Sequence, residues 1–259
     1  MKHFLFCMLS LILVERVLSA AAEAACTNVT SCSTISSSGE KCLTNDLSSA
    51  AADCIIINAD NVVFDLGGHI ITTSSPSSRA ITNLNNHANI VIKNGSLNLA
   101  GTRGIELFGN NHMVDNIRVN GNSNAYAIVV NGSRAIIKNC QVLNSRYGIL
   151  VGSEGGASEV SAIITHNEIL DTISTGIQVY DQTAAIIENN RISNTSLMGT
   201  AGIFINGGSN GLVVENRILN FATGLSDASD SGKYRDNTTM GCTTPFTVGS
   251  GFISLGIND

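Results

Sequence analysis

Gly202-Ile203-Phe204-Ile205-Asn206-Gly207 and, a few residues on, Val213-Val214-Glu215-Asn216-Arg217-Ile218 carry the pattern that decides the fold. The first stretch alternates for one short strand and stops at a turn of Asn and Gly; the second alternates again and bends at an asparagine. A small residue followed by an aliphatic one opens the same unit at Ala80-Ile81, Gly104-Ile105, Ala127-Ile128, Gly148-Ile149, Gly176-Ile177 and Gly224-Leu225, with 21 to 28 residues between successive copies. A period of that length marks a solenoid, in which one repeat cannot bury its own apolar face and must stack on the next.

Three short strands and three turns in about 23 residues make one triangular coil, and successive coils rise by about 4.8 Å, the spacing of paired strands. Alternation then sorts the side chains into columns. Ile105/Leu107, Ile128/Val130, Ile149/Val151, Ile177/Val179 and Ile203/Ile205 point inward on the first strand of the coil, and Ile92, Val114, Ile137, Ile164, Ile187 and Val213 do so on the second. The corner after that second strand carries Asn94, Asn116, Asn139, His166 and Asn189 in one column and Asn167, Asn190, Asn216 and Asn237 in the column beside it. Asparagine tolerates left-handed backbone angles and its amide both donates and accepts, so the corner predicts an internal hydrogen-bonded ladder. A leucine-rich repeat would fix leucines at set positions, and a hexapeptide helix would repeat about every eighteen residues. Neither pattern is present. The predicted fold is all-β: a single-domain right-handed parallel β-helix of about seven to eight coils. It is expected over residues 58–240, with a disulfide-stapled N-terminal cap at 25–57 and a C-terminal cap or tail at 241–259.

Two prolines, 25 glycines, no tryptophan and 13% charged residues suit a turn-rich β protein. A net charge of -6 gives nucleic acid no basic surface to bind. Lys2, the apolar stretch from Phe4 to Val14 and the small residues around Ala22-Glu23-Ala24 read as a signal peptide over residues 1–24. That stretch is too short for a membrane span, so the protein is expected to be exported, whether secreted, extracellular or periplasmic. Cys7 falls in the signal; Cys26, Cys32, Cys42, Cys54, Cys140 and Cys242 are an even set suited to an oxidising compartment, and the first four are expected to staple the cap.

The run Asn61-Val62-Val63-Phe64-Asp65-Leu66-Gly67-Gly68-His69-Ile70-Ile71 resembles the opening coil of exported right-handed parallel β-helix proteins of the pectate-lyase-like superfamily. The Gly-Ile and Asn-Asn repeats that follow are similar, as are Tyr234-Arg235-Asp236-Asn237-Thr238 and Thr244-Pro245-Phe246 near the end. The resemblance implies the fold and a superfamily that includes polysaccharide lyases, glycoside hydrolases, uronan epimerases and phage tailspikes. It implies no catalytic residue here. His69 stands in Gly-Gly-His-Ile where polygalacturonases carry Gly-His-Gly, the Asp-Asp pair is missing, and neither Pro76 nor Pro245 sits in the Asp-Pro-His-Asp of alginate epimerases. Fold analogy alone assigns no activity.

Candidate chemistry is therefore sought in the outward columns. Arg103 and Glu106, Tyr126, then Arg146 and Tyr147 fall on three consecutive coils, with Tyr180 and Asp181 at the end of the corresponding strand one coil further on. Stacked tyrosines flanked by guanidinium groups would give a sugar ring an apolar face and an acidic sugar a fork of donors. In a catalytic reading Tyr126 or Tyr147 acts as acid or base near Glu106, with Arg146 on a uronate carboxylate; in the other, the same residues are an exterior stacking ladder. Val91, Met113, Ile136, Ile163, Ile186 and Leu212 form an outward apolar column that is expected to be covered by the same chain or by self-association. Lys93, Asp115 and Lys138 read as a surface charge ladder, His112 as a satisfied core residue and His166 as a member of the asparagine column. No metal or cofactor is expected, calcium at Asp227, Asp230 and Asp236 being the one candidate. Loop expansions at Ser153–Ser161 and Ser196–Thr200 are placed to wall a groove. The functional expectation is an exported protein that binds, and in one form processes as lyase, epimerase or glycosidase, a polysaccharide, with an acidic glycan favoured. The alternative is a non-catalytic surface or matrix scaffold or adhesion protein.

Overall fold

The computed structural model describes residues 26–50, 53–152, 160–180, 183–195, 199–206, 211–228 and 232–259. The predicted signal peptide, Asp181, Asp230 and most of the two loop expansions lie outside the described residues.

One turn shows the plan. Tyr126–Asn131 forms the first side of a triangle, Ala135–Lys138 the second and Gln141–Leu143 the third. Tyr147–Val151 then stacks on the first side in parallel, with Tyr126 opposite Tyr147 and Ile128 opposite Ile149. These sides are called the anchor, stripe and return faces below. The anchor face is a 10-stranded sheet; the other two join in an 18-stranded sheet, because Ile90–Leu99 and Met113–Asn120 continue through their shared corner. The whole is an all-β right-handed solenoid of about nine turns.

The turn count exceeds the predicted seven to eight because regular pairing extends beyond both expected boundaries. Thr27 lies opposite Lys41 and Gly39 opposite Val62 inside the segment read as a cap, while Thr244 lies opposite Thr223 and Phe252 opposite Gly232 in the segment read as a tail. Two disulfides, Cys26–Cys42 and Cys32–Cys54, stitch the first coils together. Among the described residues the first coil is packed on one side only, and the two bridges, closing loops of 16 and 22 residues, restrain it covalently. Cys140 and Cys242 are free; Cys140 is buried, and burial pushes its thiol up to about 12.

Every inward residue predicted on the anchor and stripe faces is fully buried. Each such side chain stabilises the stack by about 1.5–3 kcal/mol. The small residue before each anchor has a steric cause. A Cβ added to Gly148 would sit 2.4 Å from the carbonyl oxygen of Gly176 in the next coil and 2.8 Å from Ile169 Cγ2. Only a residue at or near the size of glycine lets the corner close there.

The two asparagine columns divide the work at the corner. Asn94, Asn116, Asn139, His166 and Asn189 all have φ between 54° and 57°, and Glu215 and Asp236 continue the same left-handed column. Asn167, Asn190, Asn216 and Asn237 are buried and form the ladder. Asn190 Oδ1 accepts from the Asn167 backbone N–H and side-chain amide, both at 3.0 Å, while Asn190 Nδ2 donates to Ile164 O at 2.9 Å and to Asn216 Oδ1 at 3.0 Å. The series begins where the Cys140 N–H donates to Asn167 Oδ1 and ends on Asn258. Each rung satisfies backbone groups that a tight buried corner would otherwise leave bare.

Candidate functional site

On the exterior of the anchor face, strand register places Arg79, Arg103, Tyr126, Tyr147 and Thr175 in one column. The tyrosine rings stack with centroids 4.7 Å apart and planes inclined by 26°. The Arg103 guanidinium lies 5.5 Å from the Tyr126 centroid and that of Arg146 lies 5.4 Å from the Tyr147 centroid. Four of the predicted site residues therefore form one cation and aromatic stack, and Glu106 joins it through Arg103.

Glu106 occupies the next outward column and is only 2% exposed. Its Oε1 accepts from Arg103 Nη1 at 2.7 Å and its Oε2 from Arg79 Nε; Arg79 Nη1 reaches Asp53 Oδ2 at 2.9 Å. Partial burial works against the Arg79 charge, but its bonds to Asp53 and Glu106 outweigh this and raise its affinity for the proton. Both oxygens of this buried carboxylate are therefore engaged by guanidinium groups. Arg79 and Asp53 were not among the sequence candidates. Their register with Arg103 was the available signal, and Asp53 fell in the segment read as a cap.

Tyr180 is not in the tyrosine column. Thr175 holds the position opposite Tyr147, and Tyr180 lies five residues further along, where its N–H donates to Val151 O at 2.9 Å. Asp181 lies outside the described residues.

Beyond Tyr147 the exterior opens into a groove of about 200 Å³ lined by Tyr147, Ser174, Thr175, Gln178, Thr200, Ala201, Phe204, Thr223 and Ser226. None of these side chains is charged. Tyr147 stands at one end, and Phe204 lies between Gln178 and Ser226 among the hydroxyls. Arg146 sits at the tyrosine end, exposed and without an ion pair among the described residues. Its backbone carbonyl accepts from Ser174 at 2.9 Å, which ties it to the groove wall.

His112 is buried as predicted. Its Nδ1 accepts from the Ile90 N–H at 3.3 Å and its Nε2 donates to Phe108 O at 3.1 Å. Burial pushes its imidazole below the ordinary range, against these two contacts. His166 keeps its place in the left-handed column, with Nδ1 2.7 Å from Thr165 Oγ1. The charge ladder is longer than predicted: Lys138 pairs with Asp115 at 3.3 Å, and Lys93 turns the other way to Asp65 at 3.3 Å and Glu40 at 3.2 Å. Of the calcium candidates, Asp227 lies on the anchor face and Asp236 at a corner beside Arg235. Among the described residues no group of three or more His, Cys, Asp or Glu side chains is placed to hold a metal ion. Nor is any described helix long and apolar enough to cross a membrane.

A family model for the right-handed β-helix region matches residues 153–253. No curated protein matches the chain. Among solved structures, the A-module of the mannuronan C-5 epimerase AlgE6 of Azotobacter vinelandii is similar at 12% identity over 91% of this chain and 92% of that one, with a TM-score of 0.29.

Proposed function

We propose that this protein is an exported glycan-binding β-helix that holds an acidic polysaccharide along the exterior of the anchor face without cleaving it. The observation that carries the proposal is the uncharged groove beside Arg146, an exposed arginine with no ion pair among the described residues. Tyr147 and Phe204 offer apolar surface to sugar rings, Ser174, Thr175, Thr200, Thr223, Ser226 and Gln178 offer hydrogen bonds, and Arg146 offers a donor fork for a carboxylate. Arg79 and Arg103 are already engaged by Asp53 and Glu106, so a ligand's charge is read at Arg146. The engagement of Glu106 also takes the one carboxylate of the catalytic reading out of reach of a substrate. An enzyme acting by proton transfer needs an acid or base within reach of its substrate, and this carboxylate faces two arginines instead.

The test is calorimetric titration with uronic-acid oligosaccharides and with neutral ones, alongside absorbance at about 230 nm, where unsaturated lyase products absorb. Saturable binding of the acidic series with no new absorbance is expected. Absence of binding to either series removes the glycan reading, and a rising absorbance replaces binding with lyase chemistry.

A further inference from the structure

The apolar column on the exterior of the stripe face is longer than the sequence predicts and is bounded by opposite charges. Strand register carries it through seven coils from Val63 to Leu212, with Glu40 one coil before it and Lys233 one coil after. Ile163 is 38% exposed and Ile186 36%, so among the described residues the expected cover from the same chain is not supplied. Beside the central isoleucines runs a shallow groove of about 280 Å³ whose floor is made by Ser161, Ala162 and Ala184. Ridge and groove together have the relief of a surface that interdigitates with another like it.

The charges select the partner and its direction. We infer that the stripe face binds a second copy of this chain face to face, with the two rods antiparallel. A two-fold axis lying along the strand at Ile136 keeps each column opposite the same column and reverses the order of the coils. Ile136 then meets its own counterpart, Met113 faces Ile163, Val91 faces Ile186 and Val63 faces Leu212. At the two ends Glu40 meets Lys233. In the next column, which runs from Asp65 through Lys93 and Asp115 to Lys138, Thr165 and Glu188, Lys93 meets Glu188. Each unlike pair occurs twice by symmetry.

Lys138 and Arg134 meet their own counterparts near the axis; both have local partners, as Glu40 and Lys93 have in each other at 3.2 Å, so the unlike cross-pairs extend existing ion pairs and the like ones are offset by theirs. Lys138 is 3.3 Å from Asp115, and Arg134 Nε bonds Asn111 Oδ1 from a corner position with φ 58°. The parallel alternative, with the axis along the rod, sets Glu40 on Glu40 and Lys233 on Lys233 and pairs no opposite charges at either end. Seven coils span about 29 Å, and a face of that length buries on the order of 1,000 Å² in total, the low end of specific interfaces. Dissociation in the range of about 10 µM is expected for such an area.

Sedimentation equilibrium of the purified protein over a concentration series tests association, and site-directed cross-linking tests direction. Facing sheets pack about 10 Å apart, so a short bis-maleimide is the suitable probe. In a Cys242→Ser background, Ile136→Cys is expected to cross-link to its own copy at least tenfold faster than Leu212→Cys. A mixture of chains bearing Val63→Cys and Leu212→Cys is expected to give the mixed dimer. Ile163→Asp, at an exposed position, is expected to remain folded by circular dichroism and to sediment as a monomer. A wild-type chain that is monomeric at about 500 µM overturns the proposal, being well above the expected dissociation range. Equal cross-linking at Ile136→Cys and Leu212→Cys, or a dimer that does not cross-link through Ile136→Cys, overturns the antiparallel arrangement.

Discussion

Ile149, Ile177 and Ile203 on the anchor face and Ile137, Ile164 and Ile187 on the stripe face are all fully buried, and from inside the rod the two faces look alike. Their exteriors differ. On the anchor face outward Glu106, Val129, Leu150 and Gln178 are themselves 2%, 4%, 4% and 7% exposed, beside the stack of arginines and tyrosines. On the stripe face the outward column is apolar, half-buried along most of its length and exposed at Ile163 and Ile186. Coil stacking fixes the inner columns of both faces equally, so the difference between them is not a requirement of the fold. The outward columns are where the two faces differ, a polar groove on one and an apolar column on the other.

The sharpest break in that contrast comes from a single charge placed at four positions. Ile177→Asp and Ile164→Asp put an unpaired carboxylate into the stack and are each expected to cost more than about 4 kcal/mol and abolish soluble expression. Leu150→Asp, outward but covered, is expected to cost several kcal/mol, whereas Ile163→Asp, outward and open, is expected to stay within about 1 kcal/mol of wild type in a denaturant melt. If Leu150→Asp and Ile163→Asp behave alike, the two exteriors are not as different as described.

The corner that joins the stripe and return faces extends the contrast to a single residue type. Asn190→Ala strips the ladder of buried bonds to Ile164 O, Asn167 and Asn216 and is expected to cost about 2–4 kcal/mol. Asn189→Ala, exposed and needed only for its left-handed backbone, is expected to cost about 1 kcal/mol by the same urea titration. Equal losses would mean that the ladder adds nothing beyond the turn geometry.

The smallest effect lies in the interior and is read by pH. Burial lowers the proton affinity of His112 in the folded chain, so below about pH 6.5 the unfolded chain takes up a proton that the folded chain refuses. The contribution of this site is therefore present above that pH and lost as pH falls through it, with a slope of at most about 1.4 kcal/mol per pH unit. Thermal melts between pH 7 and pH 5 are expected to show a shallower decline for His112→Gln than for wild type. An unchanged decline would assign the acid sensitivity to other groups.

Much of the fold was legible because inward positions are set by local alternation and by the small residue at the corner, both of which recur within one coil. Asparagine corners were legible for the same reason, since φ near 55° excludes most side chains. What escaped depends on register between distant coils. Asp53 and Arg79 join Glu106 across coils that include the segment read as an irregular cap, and that segment pairs in register from Thr27 onward. Tyr180 stands at the end of its strand, as the sequence reading has it, and the position opposite Tyr147 belongs to Thr175. Cysteine spacing counted an even set but could not show that Cys26 pairs with Cys42 and Cys32 with Cys54, nor that Cys140 and Cys242 stay free.

The reading of the anchor face turns on Arg146, and a two-by-two binding experiment isolates it. Wild type and Arg146→Gln are titrated with one uronic-acid oligosaccharide and with its carboxyl-reduced, neutral form. Wild type is expected to bind the acidic form about tenfold more tightly than the neutral one, and Arg146→Gln to lose that preference while keeping its affinity for the neutral form. An unchanged preference in Arg146→Gln, or no binding of either sugar by wild type, would contradict the assignment of this groove to an acidic glycan.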